Sequence, residues 1–311
     1  MNILKLIATF LLSSIFLISM NAQTGCISGN CTKGKGTYKW DDGNIYTGKF
    51  KGGNLEGKGT YTFVSGEQYT GKFVNNNYEG KGVYKFADGG IYTGNFVLGK
   101  YSGKGEYKYI NGDFYKGTYI NNLKDGKGTY TFANGSKYSG EWKNDQYSGT
   151  GTLIYNTGEI YKGEFIANDM HGKGVYIMPS GEVYKGDFKN GKYNGKGVYS
   201  FKNGDKYEGD YMDNKMYGKG IYTLAGGDVY EGDFINDTYH GKGIYTFTNG
   251  TKYTGDFKNG MYEGNGIMIY SNGDKYEGGF KNNKRDGMGT FLYTDGTSQK
   301  GKWVNDKFIE N

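Results

Sequence analysis

The sequence predicts an all-β array of tandem hairpins drawn out into a rod, and three observations carry that expectation. First, the pattern Tyr-x-Gly-x-aromatic returns at Tyr46, Tyr69, Tyr92, Tyr115, Tyr138, Tyr161, Tyr184, Tyr207, Tyr230, Tyr253 and Tyr276, always 23 residues apart. A twelfth, degenerate copy begins at Gln299, where Gln replaces the tyrosine and Gly301 and Trp303 keep their places. Second, four glycine columns of twelve copies each account for 48 of the 58 glycines, so the glycine excess is periodic rather than low-complexity. Third, aromatic residues make up 17% of the chain, whereas disordered chains are poor in them. No amphipathic helical period appears after residue 22, and a single proline without a Gly-X-Y period excludes a collagen.

The start differs from everything that follows. Lys5 is the one charge in the first 22 residues, and Leu6 to Met20 run apolar apart from Ser and Thr. Such a stretch fits the core of a signal peptide over residues 1–22 and is shorter than the ~20 residues that span a bilayer. Cleavage after Ala22 would leave Gln23 at the N-terminus, although Met20 stands where a small residue is usual. An uncleaved anchor is one alternative. A lipid on Cys26 is another, disfavoured because Gln23-Thr24-Gly25 lacks the Leu-type residue that precedes a lipidated cysteine. The expected location is therefore outside the cytoplasm: periplasmic, secreted or surface-associated.

Residues 23–33 form an expected cap. Cys26 and Cys31 bracket Ile-Ser-Gly-Asn and are the only cysteines. In an oxidising compartment they can close a small disulfide ring that ties down the first edge of the array. Two thiolates with no nearby histidine fill only half of a tetrahedral zinc site.

From residue 34 to 303 the repeat unit reads as a hairpin. Thr37 to Trp40 begin a strand, Asp41-Asp42-Gly43-Asn44 is turn chemistry, and Ile45 to Phe50 form a second strand. Asn-Gly or Asp-Gly fills the turn in eight of twelve units and would supply the positive φ angles of a tight hairpin. Alternation puts Tyr46, Gly48 and Phe50 on one face, with the glycine leaving room for an aromatic ring from the neighbouring strand. Lys51 to Lys58 is expected to cross to the next hairpin, anchored by Leu55. One such unit buries too little to fold alone, so neighbours must share packing and hydrogen bonds, as in other linear arrays. At two strands per unit and ~4.8 Å per strand, the array would be roughly 110–120 Å long, less any curvature. Residues 304–311 read as a tail.

The unit Tyr184-Lys-Gly-Asp-Phe188-Lys-Asn-Gly191-Lys-Tyr-Asn-Gly195-Lys-Gly197-Val-Tyr199 closely resembles the MORN (membrane occupation and recognition nexus) repeat. The resemblance covers residues 34 to 303. Its departures are small: Leu153, Met268 and Phe291 replace a strand tyrosine, and Gln299 the tyrosine of the last unit. It implies an elongated, twisted, single-layer antiparallel sheet with an aromatic-lined groove. It also implies a scaffold or adaptor role, with lipid head groups as a suggested ligand. MORN arrays precede catalytic domains in plant phosphatidylinositol phosphate kinases and in a lysine methyltransferase; a kinase label here would rest on the repeats alone.

Catalytic and cofactor sites find no candidate, because the chain offers two histidines, two cysteines and one arginine, Arg285. His171 and His240 lie 69 residues apart, three whole repeats, each just before a Gly-x-Gly, where they read as repeat-loop residues about 30 Å apart. The Gly-Lys-Gly runs lack the spacing of a phosphate loop. Charge patterning says more. The middle of Gly-x-Gly is lysine nine times, at Lys35, Lys58, Lys81, Lys104, Lys127, Lys173, Lys196, Lys219 and Lys242. The residue after the Tyr-x-Gly glycine starts as Lys49 and Lys72 and becomes acidic from Glu141 through Asp256. These rows either keep a long sheet soluble or form an anion-recognising edge for membrane head groups or envelope polymers. Lysine without arginine argues against bidentate phosphate recognition, and the formal net charge of +6 does not call for nucleic acid. Aromatic columns pack between repeats, and a partly open groove lined by Tyr could also stack on sugars or clasp an extended peptide. The expected function is a non-enzymatic scaffold for a protein or envelope component. The alternative is a peripheral anionic-lipid or polymer binder, and the edge near Trp303 to Phe308 offers a place for a second copy to pair.

Overall fold

The structure is a computed structural model that describes residues 23–309; the expected leader at 1–22 lies outside the described residues. Twenty-six strands, from Gly25–Gly29 to Lys307–Ile309, make one open sheet in which each strand pairs antiparallel with the next. Among the described residues there is no helix.

One repeat shows why the period is 23. The strand Val183–Lys189 has seven residues, a turn at 190–191 has two, the strand Lys192–Ser200 has nine, and a loop at 201–205 has five. The longer strand is longer because it carries a bulge. Gly186 faces Gly197 and Phe188 faces Tyr193, so two extra residues are accommodated on the long strand, with Gly195 at φ 102°. A left-handed φ of that size is natural only for glycine.

The two connections differ from the expectation in an instructive way. The Asn/Asp-Gly column is a three-residue loop: Gly204 N–H donates to Phe201 O (3.1 Å) and Phe201 N–H to Asp205 O (2.9 Å), with only the glycine left-handed, at φ 93°. That is a type I turn closed by a glycine bulge. The segment Lys51 to Lys58 does not cross over. Lys51 ends one strand, Gly52-Gly53 turn with φ 59° and 83°, and Asn54–Thr62 is the next strand. This second turn is the two-residue kind with both residues left-handed, and in eight copies both are non-glycine, as at Asp213-Asn214 (φ 49° and 71°).

The aromatic side chains of the repeat columns fall on one face, while Phe114 and Tyr217 alternate to the other. Tyr46, Tyr69, Tyr92, Tyr115, Tyr138, Tyr161, Tyr184, Tyr207, Tyr230, Tyr253 and Tyr276 are each 0% exposed and form one continuous core with the Phe50-type column. The opposite face carries Thr, Val, Ile, Lys, Asp and Glu. Cys26 and Cys31 are joined by a disulfide, with their Cα atoms 5.8 Å apart, and the strand Gly25–Gly29, which contains Cys26, pairs with Lys33–Lys39.

A glycine-floored track on the face opposite the tyrosines

The burial of each repeat tyrosine follows from the two glycines beneath it. A Cβ placed on Gly186 or Gly197 would sit 2.5 Å from atoms of Tyr184, so neither position admits a side chain. The ring therefore covers Gly186 on its own strand as well as Gly197 on the neighbouring one, where a ring from the neighbouring strand was expected. Tyr184 stacks on Tyr193 at 3.7 Å and meets Phe188 and Tyr211 edge-on at 5.1 Å each. Its hydroxyl donates to the Asp187 carbonyl at 2.9 Å, satisfying a buried polar group. Burial pushes the phenols up, Tyr46 and Tyr161 to about 12. This face is therefore mostly closed packing, though a hollow of about 600 Å3 remains near Trp40, Leu55, Tyr61 and Tyr78.

The aromatic lining that the resemblance implies is present at that hollow, beside Trp40, Tyr61, Phe63, Phe73 and Tyr78, and a larger groove lies on the other face. It occupies about 1870 Å3 and runs across the strands from Lys162 to Gly278. Its floor is the backbone of the paired glycines, Gly186 and Gly197 among them, which have no side chain on either face. One wall is an aliphatic column (Val175, Val198, Ile221, Ile244, Ile267) interleaved with Lys185, Glu208, Glu231 and Glu277. The other wall is the lysine column with its acidic partners.

Register decides what those lysines can do. Lys173, Lys196, Lys219 and Lys242 stand opposite Asp187, Asp210, Asp233 and Asp256, with Nζ to Oδ1 distances of 2.5, 2.7, 2.7 and 2.5 Å. Each carboxylate also caps a bulge, as Asp187 Oδ2 does by accepting Lys196 N–H at 3.0 Å. Four of the nine candidate lysines are thus neutralised in a row of alternating sign. Lys127 faces Glu141, whose carboxylate is held by Thr150 through both its N–H and its hydroxyl. Lys81 and Lys104 face Asn95 and Thr118, while Lys35 and Lys58 face Lys49 and Lys72.

His171 and His240 sit within strands, not in loops, opposite Glu164 and Asp233, and their carbonyls accept the Tyr161 and Tyr230 hydroxyls at 3.2 and 3.3 Å. Sequence reasoning missed the aliphatic column, because only the strand register sets Val198 and Ile221 in one row, with Glu208 between them.

Comparison with known proteins supplies the family. The family described as MORN repeat matches residues 33–45, 46–68, 69–91, 92–114, 115–137, 138–160, 161–183, 184–206, 207–229, 230–252, 253–275 and 276–298. The degenerate copy at Gln299 lies beyond those matches, although the strand Ser298–Val304 continues the same geometry. No curated protein matches the sequence. Similar solved structures include the TCP10 domain of Danio rerio CPAP, at 12% identity over 65% of this chain and 94% of that one, with a TM-score of 0.37. The TCP domain of Drosophila melanogaster SAS-4, solved with a proline-rich motif of Ana2, is 16% identical over 55% and 86% of the two chains, TM-score 0.32. A streptogramin B lyase is 13% identical over 86% and 93%, TM-score 0.15. Likeness at this level carries no argument about function.

Proposed function

The chain belongs to the MORN-repeat family, and from that premise we propose that it is a non-enzymatic scaffold, exported from the cytoplasm, that holds an elongated protein or envelope component along its glycine-floored track. The observation that carries this reading is the groove from Lys162 to Gly278 on the face the tyrosines leave free. An open, repeating channel crossing many strands suits a long ligand gripped at many weak points better than a small substrate enclosed in a pocket. Its aliphatic column offers apolar contacts in every repeat, and the ion pairs of the other wall keep it polar without a strong net field.

The test is photo-crosslinking in the host with a reactive side chain at Val198 or Ile221 in the track, and at Val64, which is 74% exposed in a turn loop, as the control. The reading expects adducts from the two track positions and none from Val64. Adducts of equal yield from Val64 would count against it. The leader is tested separately by N-terminal sequencing of the protein recovered from the host, which should begin at Gln23. Pairing of two copies through the edge strand Lys307–Ile309 belongs to the same proposal and predicts a dimeric mass in light scattering.

A second reading, contact with anions through the lysine edge, is favoured only in the first repeats. There the lysines lack the acidic partners they have from Lys173 onward.

A further inference from the structure

The same track changes chemistry along the rod. Lys35, Lys49, Lys58, Lys72 and Lys81 occupy five consecutive strands on the face opposite the tyrosines; on the other pairing of their strands Lys49 and Lys72 stand opposite Glu56 and Glu79. Lys35 stands directly across from Lys49, and Lys58 from Lys72. The stem of Lys49 runs over the bulge at Gly57, where an added Cβ would meet its Cδ at 3.1 Å, and so lies beside Lys58. In the later repeats this row alternates lysine and aspartate; here it is lysine throughout.

The two carboxylates facing the row each also hold a backbone N–H. Glu56 Oε2 accepts the Asn75 N–H and Glu79 Oε2 the Leu98 N–H, both at 3.3 Å. None of the five lysines forms an ion pair with a described carboxylate. Like charges directly opposite on a sheet are destabilising, so the Lys35–Lys49 and Lys58–Lys72 pairs gain from an anion lying on them. Across the glycine floor, the facing column is Thr37, Thr47, Thr60, Thr70, Val83 and Thr93, threonine at all but one position. Thr37 and Thr47 pair their hydroxyls at 3.2 Å, and Thr60 and Thr70 at 3.1 Å.

From this arrangement we propose that the first three repeats bind a linear, hydroxyl-bearing polyanion lying along the track, across the strands. The spacing of successive lysines, ~5 Å from strand to strand, suits a chain with one negative charge per sugar-sized unit. A single file of ammonium groups beside a file of hydroxyls matches a chain better than a planar bilayer, which would meet cations spread over a surface. Without arginine, recognition is by point charge and hydroxyl contacts. The inference rests on the second reading above and is independent of what the later repeats hold.

The test uses the purified full chain, with polygalacturonate as probe, neutral dextran as control and anionic phosphatidylglycerol vesicles as the competing arm, each over a salt series. Binding to polygalacturonate should weaken steeply with salt, because lysine contacts release counterions. The triple variant Lys49→Gln, Lys58→Gln, Lys72→Gln should lose at least about tenfold in affinity. The triple variant Lys196→Gln, Lys219→Gln, Lys242→Gln should retain it. The three substituted lysines are exposed and form no ion pair with a described carboxylate, so the first variant should melt close to the wild-type temperature and its loss of binding would not reflect unfolding. No binding at low salt, equal loss in both variants, or vesicle binding that exceeds polymer binding would each overturn the proposal. The vesicle result would sink the polymer alone and leave the lysine-edge reading standing, whereas no binding to either probe would remove both.

Discussion

At the scale of single residues, the fold is a repeated bargain between a tyrosine and two glycines. The sequence makes the columns visible, and alternation shows that tyrosine and glycine share a face. It does not show that the ring lies over its own strand, since that depends on a χ angle and on the bulge carbonyl that accepts the hydroxyl. Two substitutions separate the parts. Gly197→Ala puts a Cβ 2.5 Å from the Tyr184 ring and should destabilise by about 3 kcal/mol or more in urea titrations. Tyr184→Phe keeps the packing and loses the bond to the Asp187 carbonyl, costing about 1 kcal/mol. A larger loss for the phenylalanine variant would invert the order this account requires. Tyr119 is a different case. It stands in the column usually held by phenylalanine, and its buried hydroxyl has no partner among the described residues. Tyr119→Phe should therefore stabilise the protein, by about 1 kcal/mol, because it removes an unsatisfied polar atom; an unchanged or lower urea midpoint would contradict that. Alkali tests the whole column. Burial raises the folded phenols above the ordinary value of 10.0, to about 12 for Tyr46, Tyr69 and Tyr161. The folded state then holds more protons than the unfolded one, so stability is intact below pH 10 and falls from there toward 12. Tyrosinate absorbance of the column should appear together with loss of the β-sheet circular dichroism signal, not ahead of it.

At the scale of the element, two kinds of turn alternate, and only one was legible. Asp41-Asp42-Gly43 declares itself because one glycine at a fixed place carries the single left-handed residue. The other turn hides. Its residues are Asn121-Asn122, Ala167-Asn168 or Asp213-Asn214, left-handed without glycine, and the bulge at Gly57-Lys58 interrupts period-two alternation just beyond it. What stabilises these turns is a clasp to the preceding repeat. Asn214 N–H donates to the Tyr193 carbonyl at 3.0 Å, and Asn214 Oδ1 accepts the Tyr193 N–H at 2.8 Å. The same side-chain bond recurs at Asn76, Asn122, Asp145, Asn168, Asp237, Asn283 and Asp306. Asn214→Gly keeps φ accessible and gives up the side-chain bond, so it should cost about 1 kcal/mol. Asn214→Ala gives up the same bond and must also hold a left-handed φ, which adds roughly 1–2 kcal/mol. Equal thermal shifts for the two variants would mean that backbone strain plays no part in the turn.

At the scale of the molecule, stability and binding both come from the relation between repeats. Each hairpin's turn clasps its predecessor and each tyrosine meets an aromatic ring of the next repeat, so the array is continuous and no repeat has a core of its own. The lysine and aspartate columns are plain in the sequence, yet their meaning is not. Lys173 meets Asp187, fourteen positions further on, only because the strand register sets them opposite, and the bare lysines of the first repeats stand out only against that pairing. The same register builds the aliphatic wall of the track. All of these depend on one claim, that the chain is a single extended layer of hairpins with two different faces. Small-angle X-ray scattering of the purified protein tests it most directly. The account predicts a maximum dimension near ~110–120 Å, less any curvature, from the ~4.8 Å spacing of twenty-six strands. It also predicts a radius of gyration well above the ~19 Å of a compact domain of this length. A compact profile at that smaller radius would mean the sheet folds back on itself, closing the track and contradicting the account.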